Sequence, residues 1–278
     1  MPYDDYRLLR IELKDRVATA TVAAPPINVM TLALFGEIAR FGQQVAEDDE
    51  VRVVVLESAD PDFFIAHFDV AAILEFPIEG EAERSPRNPF HQMCECFRTM
   101  PKVTIAQIEG RVGGGGCELI QAFDMRFGVL EKTTINQMEV PLGILPGGGG
   151  TQRLPRLVGR GRALEIILGG EDLDAATAER WGFLNRALAS DAIGAHVAAL
   201  ARRIASFPAE AVALAKKSVN AAELPLAEGL VEEAFLFQRL LRSDEAQRNM
   251  RRFLELGGQT REAELEVAEL SARANRPA

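Results

Sequence analysis

The chain has 278 residues, 47% of them hydrophobic, so it can bury a sizeable core as one large domain or as a domain with an appendage. Lys and Arg number 31 against 41 Asp and Glu, a net charge of −10. That sign excludes a sequence-independent nucleic-acid binder and an anionic membrane surface as partner, since both require basic protein surface.

In chain order, residues 6–13 and 16–23 alternate like two strands joined by a turn at Lys14-Asp15. The acidic amino terminus has no long apolar run, so neither a signal peptide nor a membrane span is expected. Thr31 is placed to cap a helix through about Glu47, with Leu34, Ile38, Phe41 and Val45 on one stripe. The apolar run at 51–58 predicts a buried strand. Residues 77–89 are polar and carry three prolines, the pattern of a mobile loop; a helix follows to Met100. Strands are expected at 102–110 and 124–129, with a short helix "CELIQAF" between them. A glycine-rich loop then opens a helix near Thr151. From about Asp174 the pattern is mostly helical, in segments near 190–206, 208–221, 226–241 and 243–256. The tail from Arg261 reads as a protruding helix or a partly disordered segment. Strand–strand–helix units recur, predicting an α/β body followed by a helical section.

Cys94, Cys96 and Cys117 are too few and of odd number for a disulfide framework, which points to a reducing cytoplasm. Cys94-Glu-Cys96 lacks the second pair a zinc knuckle needs, and His67 with Asp69 finds no further ligand at metal spacing, so no metal is expected. The glycine run 147–150 lacks the Gly-Lys-Ser/Thr ending of a phosphate loop.

Four consecutive glycines, Gly113 to Gly116, precede Cys117 and Glu118. Such a run lets a ligand approach the main chain and leaves free N–H groups at a helix start, suited to an oxygen bearing negative charge. Equally, it can serve a tight strand-to-helix junction. Glu118 and Glu139 stand 21 residues apart, each beside a glycine-rich stretch. Brought together, two carboxylates can hold a water and divide acid and base roles.

The segments "FFIAHFDV" (63–70), "RVGGGGCEL" (111–119) and "MEVPLGILPGGGGTQRLPRLVG" (138–159) together resemble the crotonase, or enoyl-CoA hydratase/isomerase, superfamily. "PPINVM", "LAKKSVN" (214–220) and "SDEAQRNMRRFLE" (243–255) extend the resemblance over most of the chain. It implies an α/β fold, a spiral of ββα units, with a helical carboxy-terminal trimerisation region. The core with the active site would then span 1–205 and the oligomerisation region 206–278, in a homotrimer or homohexamer. It implies an acyl-CoA thioester as substrate, with coenzyme A part of that substrate and no other cofactor. By motif position the amides of Phe68 and Gly115 would hold the thioester oxygen, while Glu118 and Glu139 would grip the water added across a 2-enoyl group. Ala66, His67, Asp69, Val70, Gly114, Pro141 and Gly147 fall at substrate-binding positions. Keeping both glutamates favours hydration. Double-bond isomerisation, another reaction of the superfamily on a specialised acyl-CoA, and non-catalytic acyl-CoA binding are the alternatives.

Three positions depart from the family pattern. His67 stands where glycine is usual, and Phe68 is bulkier than the common alanine. Ala71 replaces a lysine that some relatives direct at the CoA phosphates; Lys216 and Lys217 are candidates to reach phosphate instead.

Overall fold

A computed structural model gives the fold and describes residues 3–77, 79 and 87–275. Strands β1 (Leu9–Lys14) and β2 (Val17–Val22) pair antiparallel across a two-residue turn. Asp15 and Arg16 both have positive φ, 51° and 62°, which matches the right-handed twist of a tight hairpin. Helix α1 (Leu32–Glu47) starts at Thr31, whose hydroxyl accepts the amide of Leu34, and buries the predicted stripe Leu34, Ile38, Phe41 and Val45.

Three successive units then repeat one path. Strand β3 (Val53–Ser58) leads to β4 (Phe63–Ile65), α2 (Val70–Leu74) and α3 (Pro89–Thr99). Next, β5 (Val103–Ile108) leads to β6 (Arg111–Gly113) and α4 (Gly114–Ile120). Then β7 (Met125–Val129) leads to β8 (Thr134–Asn136), α5 (Gly150–Val158) and α6 (Arg160–Gly169). The short β9 (Leu173–Asp174), α7 (Ala175–Trp181) and β10 (Arg186–Leu188) close the series. In each unit the first strand enters a six-stranded sheet, order β1-β2-β3-β5-β7-β10, and the second enters a four-stranded sheet, order β4-β6-β8-β9. All pairings are parallel except β1 with β2 and β8 with β9. This is the expected spiral of ββα units.

The sequence pattern missed β4, β6 and β8, because three residues are too few to display a period. It also missed β10, inside a stretch read as helical. Helix α4 begins at Gly114, three residues before the expected start. Glycine costs about 1 kcal/mol per position in a helix, and here packing overrides that propensity. Most of the loop expected at 77–89 lies outside the described residues. Asn88 caps α3, its side-chain oxygen accepting the amide of His91 at 2.8 Å.

Helix α8 (Ile193–Ala205) covers the larger sheet, burying Ile193, Val197, Ala201 and Ala205 against Val55, Ile105 and Phe127. Four longer or shorter helices, α9 (Ala209–Asn220), α10 (Leu226–Leu241), α11 (Asp244–Glu255) and α12 (Arg261–Glu264), precede α13 (Val267–Ala274). The described part of the tail does not protrude. It folds back, with Leu270 and Ala274 buried, Arg203 donating to the Ala268 carbonyl at 2.7 Å and Asn249 to Asn275 at 3.1 Å. Lys216 is turned inward, pairing with Asp124 at 2.8 Å and donating to the carbonyls of Phe97 and Lys102. It therefore pins α9 to the core and does not reach outward for phosphate. Lys217 is paired with Glu232 at 2.7 Å.

The glycine run explains itself in the contact between α4 and the segment after β4. A β-carbon on Gly113 would lie 2.6 Å from the Ala66 carbonyl oxygen, and one on Gly116 would lie 2.7 Å from that of Ile65. Gly113→Ala should therefore cost about 1–3 kcal/mol. Gly36→Ala, on an open face of α1 with nothing within 4 Å, should gain up to about 1 kcal/mol. Chemical denaturation of both variants checks the contrast; equal stabilities would remove the steric reading.

Candidate active site

The candidate side chains come from three neighbouring segments. Each follows a strand of the smaller sheet: residues 66–70 after β4, 114–118 after β6 and 137–150 after β8. Since β4, β6 and β8 lie parallel and adjacent, their carboxy-terminal ends converge, the usual place for a site beside parallel strands.

Glu118 is 4% exposed on α4. Its Oε1 accepts the amides of Gly148 at 2.7 Å and Gly150 at 2.8 Å. The second glycine run is thus an anchor for this carboxylate, a role the sequence reading did not foresee. Gly149, at φ 116°, makes the turn that aims both amides at one oxygen. Arg153, a turn further along α5, donates to the Gly148 carbonyl at 3.1 Å and to Glu95 of α3 at 2.9 Å. Burial opposes the charge on Glu95, yet hydrogen bonds from Arg98 and Arg153 hold its carboxyl down to about 2. Arg153 was also missed; its signal was an arginine one helical turn beyond a glycine run.

Glu139 is 8% exposed and ends the segment after β8, leading into a single helical turn at Val140–Leu142. Its Oε1 lies 3.2 Å from where a β-carbon on Gly114 would sit, and its buried Oε2 has no hydrogen-bond partner among the described residues. Burial pushes the Glu118 carboxyl up to about 7; the Glu139 charge adds to this, while the two amides and Arg153 oppose it. Burial also raises Glu139, against its own amide and the nearby His67. Two acids in one dry place therefore resist carrying two charges near neutral pH.

Phe68 and Gly115 adjoin: a β-carbon on Gly115 would lie 2.9 Å from the Phe68 β-carbon and 3.5 Å from its amide nitrogen. Residues on either side of Phe68 pair with Met30, through Met30 N to the His67 carbonyl and Asp69 N to the Met30 carbonyl. That bridge turns the Phe68 amide the other way. Gly115 is the second residue of α4, so its amide has no acceptor within the helix. Among the described residues, neither amide has a hydrogen-bond partner outside its own element, and the two residues adjoin.

A cavity of about 460 Å³ opens here, lined by Phe68, Gly115, Glu118, Glu139 and Gly147 together with apolar side chains. Ala66, His67 and Gly114 are not part of that lining. His67 donates from Nδ1 to the Phe68 carbonyl at 2.8 Å and lies beside Gly114. Asp69 caps α2 by accepting the Ala71 amide at 2.9 Å, and Val70 opens that helix. Pro141 is exposed and faces Gly170 outside the cavity lining. Cys117 is fully buried among core side chains. Among the described residues, no three His, Cys, Asp or Glu side chains gather as a metal site, and no helix is long and apolar enough to cross a membrane.

A sequence model of the family described as enoyl-CoA hydratase/isomerase matches residues 12–261. A Rhizobium meliloti protein named probable enoyl-CoA hydratase is 34% identical over 253 residues, covering 90% of this chain and 95% of that one. A Dictyostelium discoideum protein named probable enoyl-CoA hydratase, mitochondrial, is 30% identical, covering 88% and 87%. The crystal structure of enoyl-CoA hydratase from Bacillus anthracis superimposes with a TM-score of 0.82 at 27% identity, covering 90% and 96%.

The raised Glu118 carboxyl sets a pH signature. Its folded value, about 7, exceeds the ordinary 4.5, so the folded state binds the extra proton and stability falls as pH rises between those values. Glu118→Gln keeps an oxygen for both amides but carries no charge. Its stability relative to wild type should grow from pH 4.5 to 7 and then level off. Urea unfolding across that range measures the difference; a pH-independent gap would contradict the buried acid.

Proposed function

The chain belongs to the enoyl-CoA hydratase/isomerase family, and from that premise we propose that it adds water reversibly across the 2,3 double bond of a 2-enoyl-CoA thioester. One observation carries this reading: two buried carboxylates face one cavity beside two adjoining main-chain amides. The thioester oxygen accepts from the Phe68 and Gly115 amides. A water sits between Glu118 and Glu139. Its oxygen attacks C3, its proton passes to the carboxylate of the pair that is ionised, and C2 of the enolate takes a proton from the pair. The elements of water are then added and the pair regains its starting proton count. Between those steps the two amides hold the charge that has moved onto the thioester oxygen.

The glutamate pair suits the task because burial raises both carboxyls above the ordinary range. A carboxyl pushed up to about 7 donates near neutrality, while its partner accepts. No further cofactor takes part in this scheme. His67 supports the loop that presents the Phe68 amide, through its bond to the Phe68 carbonyl.

The same reading extends to assembly and place. Leu226, Leu230, Val231, Phe235 and Phe237 lie exposed along α10, where Leu236 is the buried side chain. Those exposed apolar side chains support a homotrimer or homohexamer formed through residues 206–278, with 1–205 as the catalytic core. Three free cysteines suit a reducing cytoplasm.

With crotonyl-CoA, purified protein should consume the conjugated enoyl absorbance. A gain of that absorbance from a 3-enoyl-CoA, without hydration, would assign isomerisation instead; thioester binding without turnover on any substrate would assign a binding protein. Glu118→Gln and Glu139→Gln should each lower kcat at least about a hundredfold, and near-wild-type turnover by either folded variant defeats the pair. Light scattering should return three or six times the 30.4 kDa chain mass; a monomer would leave those exposed α10 side chains unexplained.

A further inference from the structure

The cavity wall beyond the carboxylates is unusually aromatic. Phe35, Phe68, Phe76 and Phe90 all line it, drawn from four separate segments. Phe68 is the hub: its ring centroid lies 6.4 Å from Phe35, 6.4 Å from Phe76 and 6.1 Å from Phe90. Phe35 and Phe90 stack at 5.9 Å. Leu32, Ile73, Ile144 and Leu145 also line it, and Leu32, Phe76, Ile144 and Leu145 are 45–62% exposed. Apolar surface left open around an apolar cavity is what a ligand tail would cover.

Among the described residues, the polar side chain at this wall besides Glu118 and Glu139 is Asn88, whose oxygen already caps α3. A hydroxyl or carboxylate on the tail would lose water against a wall that, among the described residues, is otherwise apolar apart from Asn88 and the two glutamates. Position adds a further constraint. The Phe68 ring hangs from the same residue whose amide adjoins Gly115, so it stands close to the first carbons of any acyl group held at those amides.

Resting on the hydratase reading, we infer that this site takes thioesters whose acyl chain carries an unsubstituted aromatic ring at or next to C3. A flat ring meets the edges and faces of Phe68, Phe90 and Phe35 in the offset and T-shaped geometries that aromatic pairs prefer, whereas a straight alkyl chain gains area alone. The Phe68 ring, in contact with the three others, is the specificity element.

Calorimetry with four saturated, unreactive thioesters tests this: butyryl-, octanoyl-, 3-phenylpropanoyl- and 3-(4-hydroxyphenyl)propanoyl-CoA. The phenyl compound should bind roughly tenfold tighter than butyryl and more tightly than octanoyl, each added aromatic pair supplying part of that factor. The hydroxyphenyl compound should lose about tenfold against phenyl. Phe90→Leu should erase the phenyl advantage over octanoyl; Phe35→Leu serves the same purpose should Phe90→Leu not fold. Octanoyl binding as tightly as phenylpropanoyl, or hydroxyphenyl matching phenyl, overturns the inference. Crotonyl-CoA hydration without a phenyl preference overturns the tail assignment alone. A phenyl preference without hydration of any enoyl thioester overturns the reaction and leaves the tail assignment standing.

Discussion

Everything in the candidate site depends on how closely residues 113–116 approach residues 65–68. Two carbonyl oxygens, those of Ile65 and Ala66, occupy the space where side chains of Gly116 and Gly113 would begin. Only a bare main chain can come so near, and the approach sets the Phe68 amide beside that of Gly115. It also fixes where α4 begins, and hence where Glu118 emerges. The order of causes runs from four glycines, to a close strand-to-helix packing, to two adjacent donors and a carboxylate at fixed spacing from them.

The second glycine run makes a complementary bargain with electrostatics. Burying a carboxylate raises its proton affinity; giving it amide hydrogens lowers it again. For Glu118 the burial wins, leaving an acid near 7 despite two short bonds from Gly148 and Gly150. The loop therefore orients Glu118 without reducing it to an ordinary surface acid. Arg153 and Glu95 hold that loop from behind, so a pair of charges remote from the cavity lining steadies an uncharged turn that faces it.

Much of this was legible in the sequence, for identifiable reasons. The stripe on α1 and the cap at Thr31 follow from a period of 3.6 and a hydroxyl in the right place. In the larger sheet, β1 and β2 show a two-residue alternation and β3 opens with a continuous apolar run. The motif segments at 63–70, 111–119 and 138–159 led to the fold, and the structure brings Phe68, Gly115, Glu118, Glu139 and Gly147 to one cavity. What stayed hidden was what three residues cannot encode. β4, β6 and β8 exist because neighbouring strands pair with them, not because their own pattern demands it. The start of α4 defeated propensity, since contact with Ile65 and Ala66 outweighs the helical cost of glycine. The inward turn of Lys216 toward Asp124 depends on a partner 92 positions away (216 − 124), which no local reading supplies.

The alternation of strands between two sheets has a consequence for how such a chain can diversify. The two glutamates and the two candidate amides hang on the connections that leave the smaller sheet, while the larger sheet packs against α8. Insertions or exchanges in those connections can reshape the acyl pocket without disturbing the scaffold's main pairings. Residues 113–116 are the exception, because lengthening them would part the two amides. Lineages built on this plan should therefore vary freely at the tail end of the cavity and hardly at all at its floor.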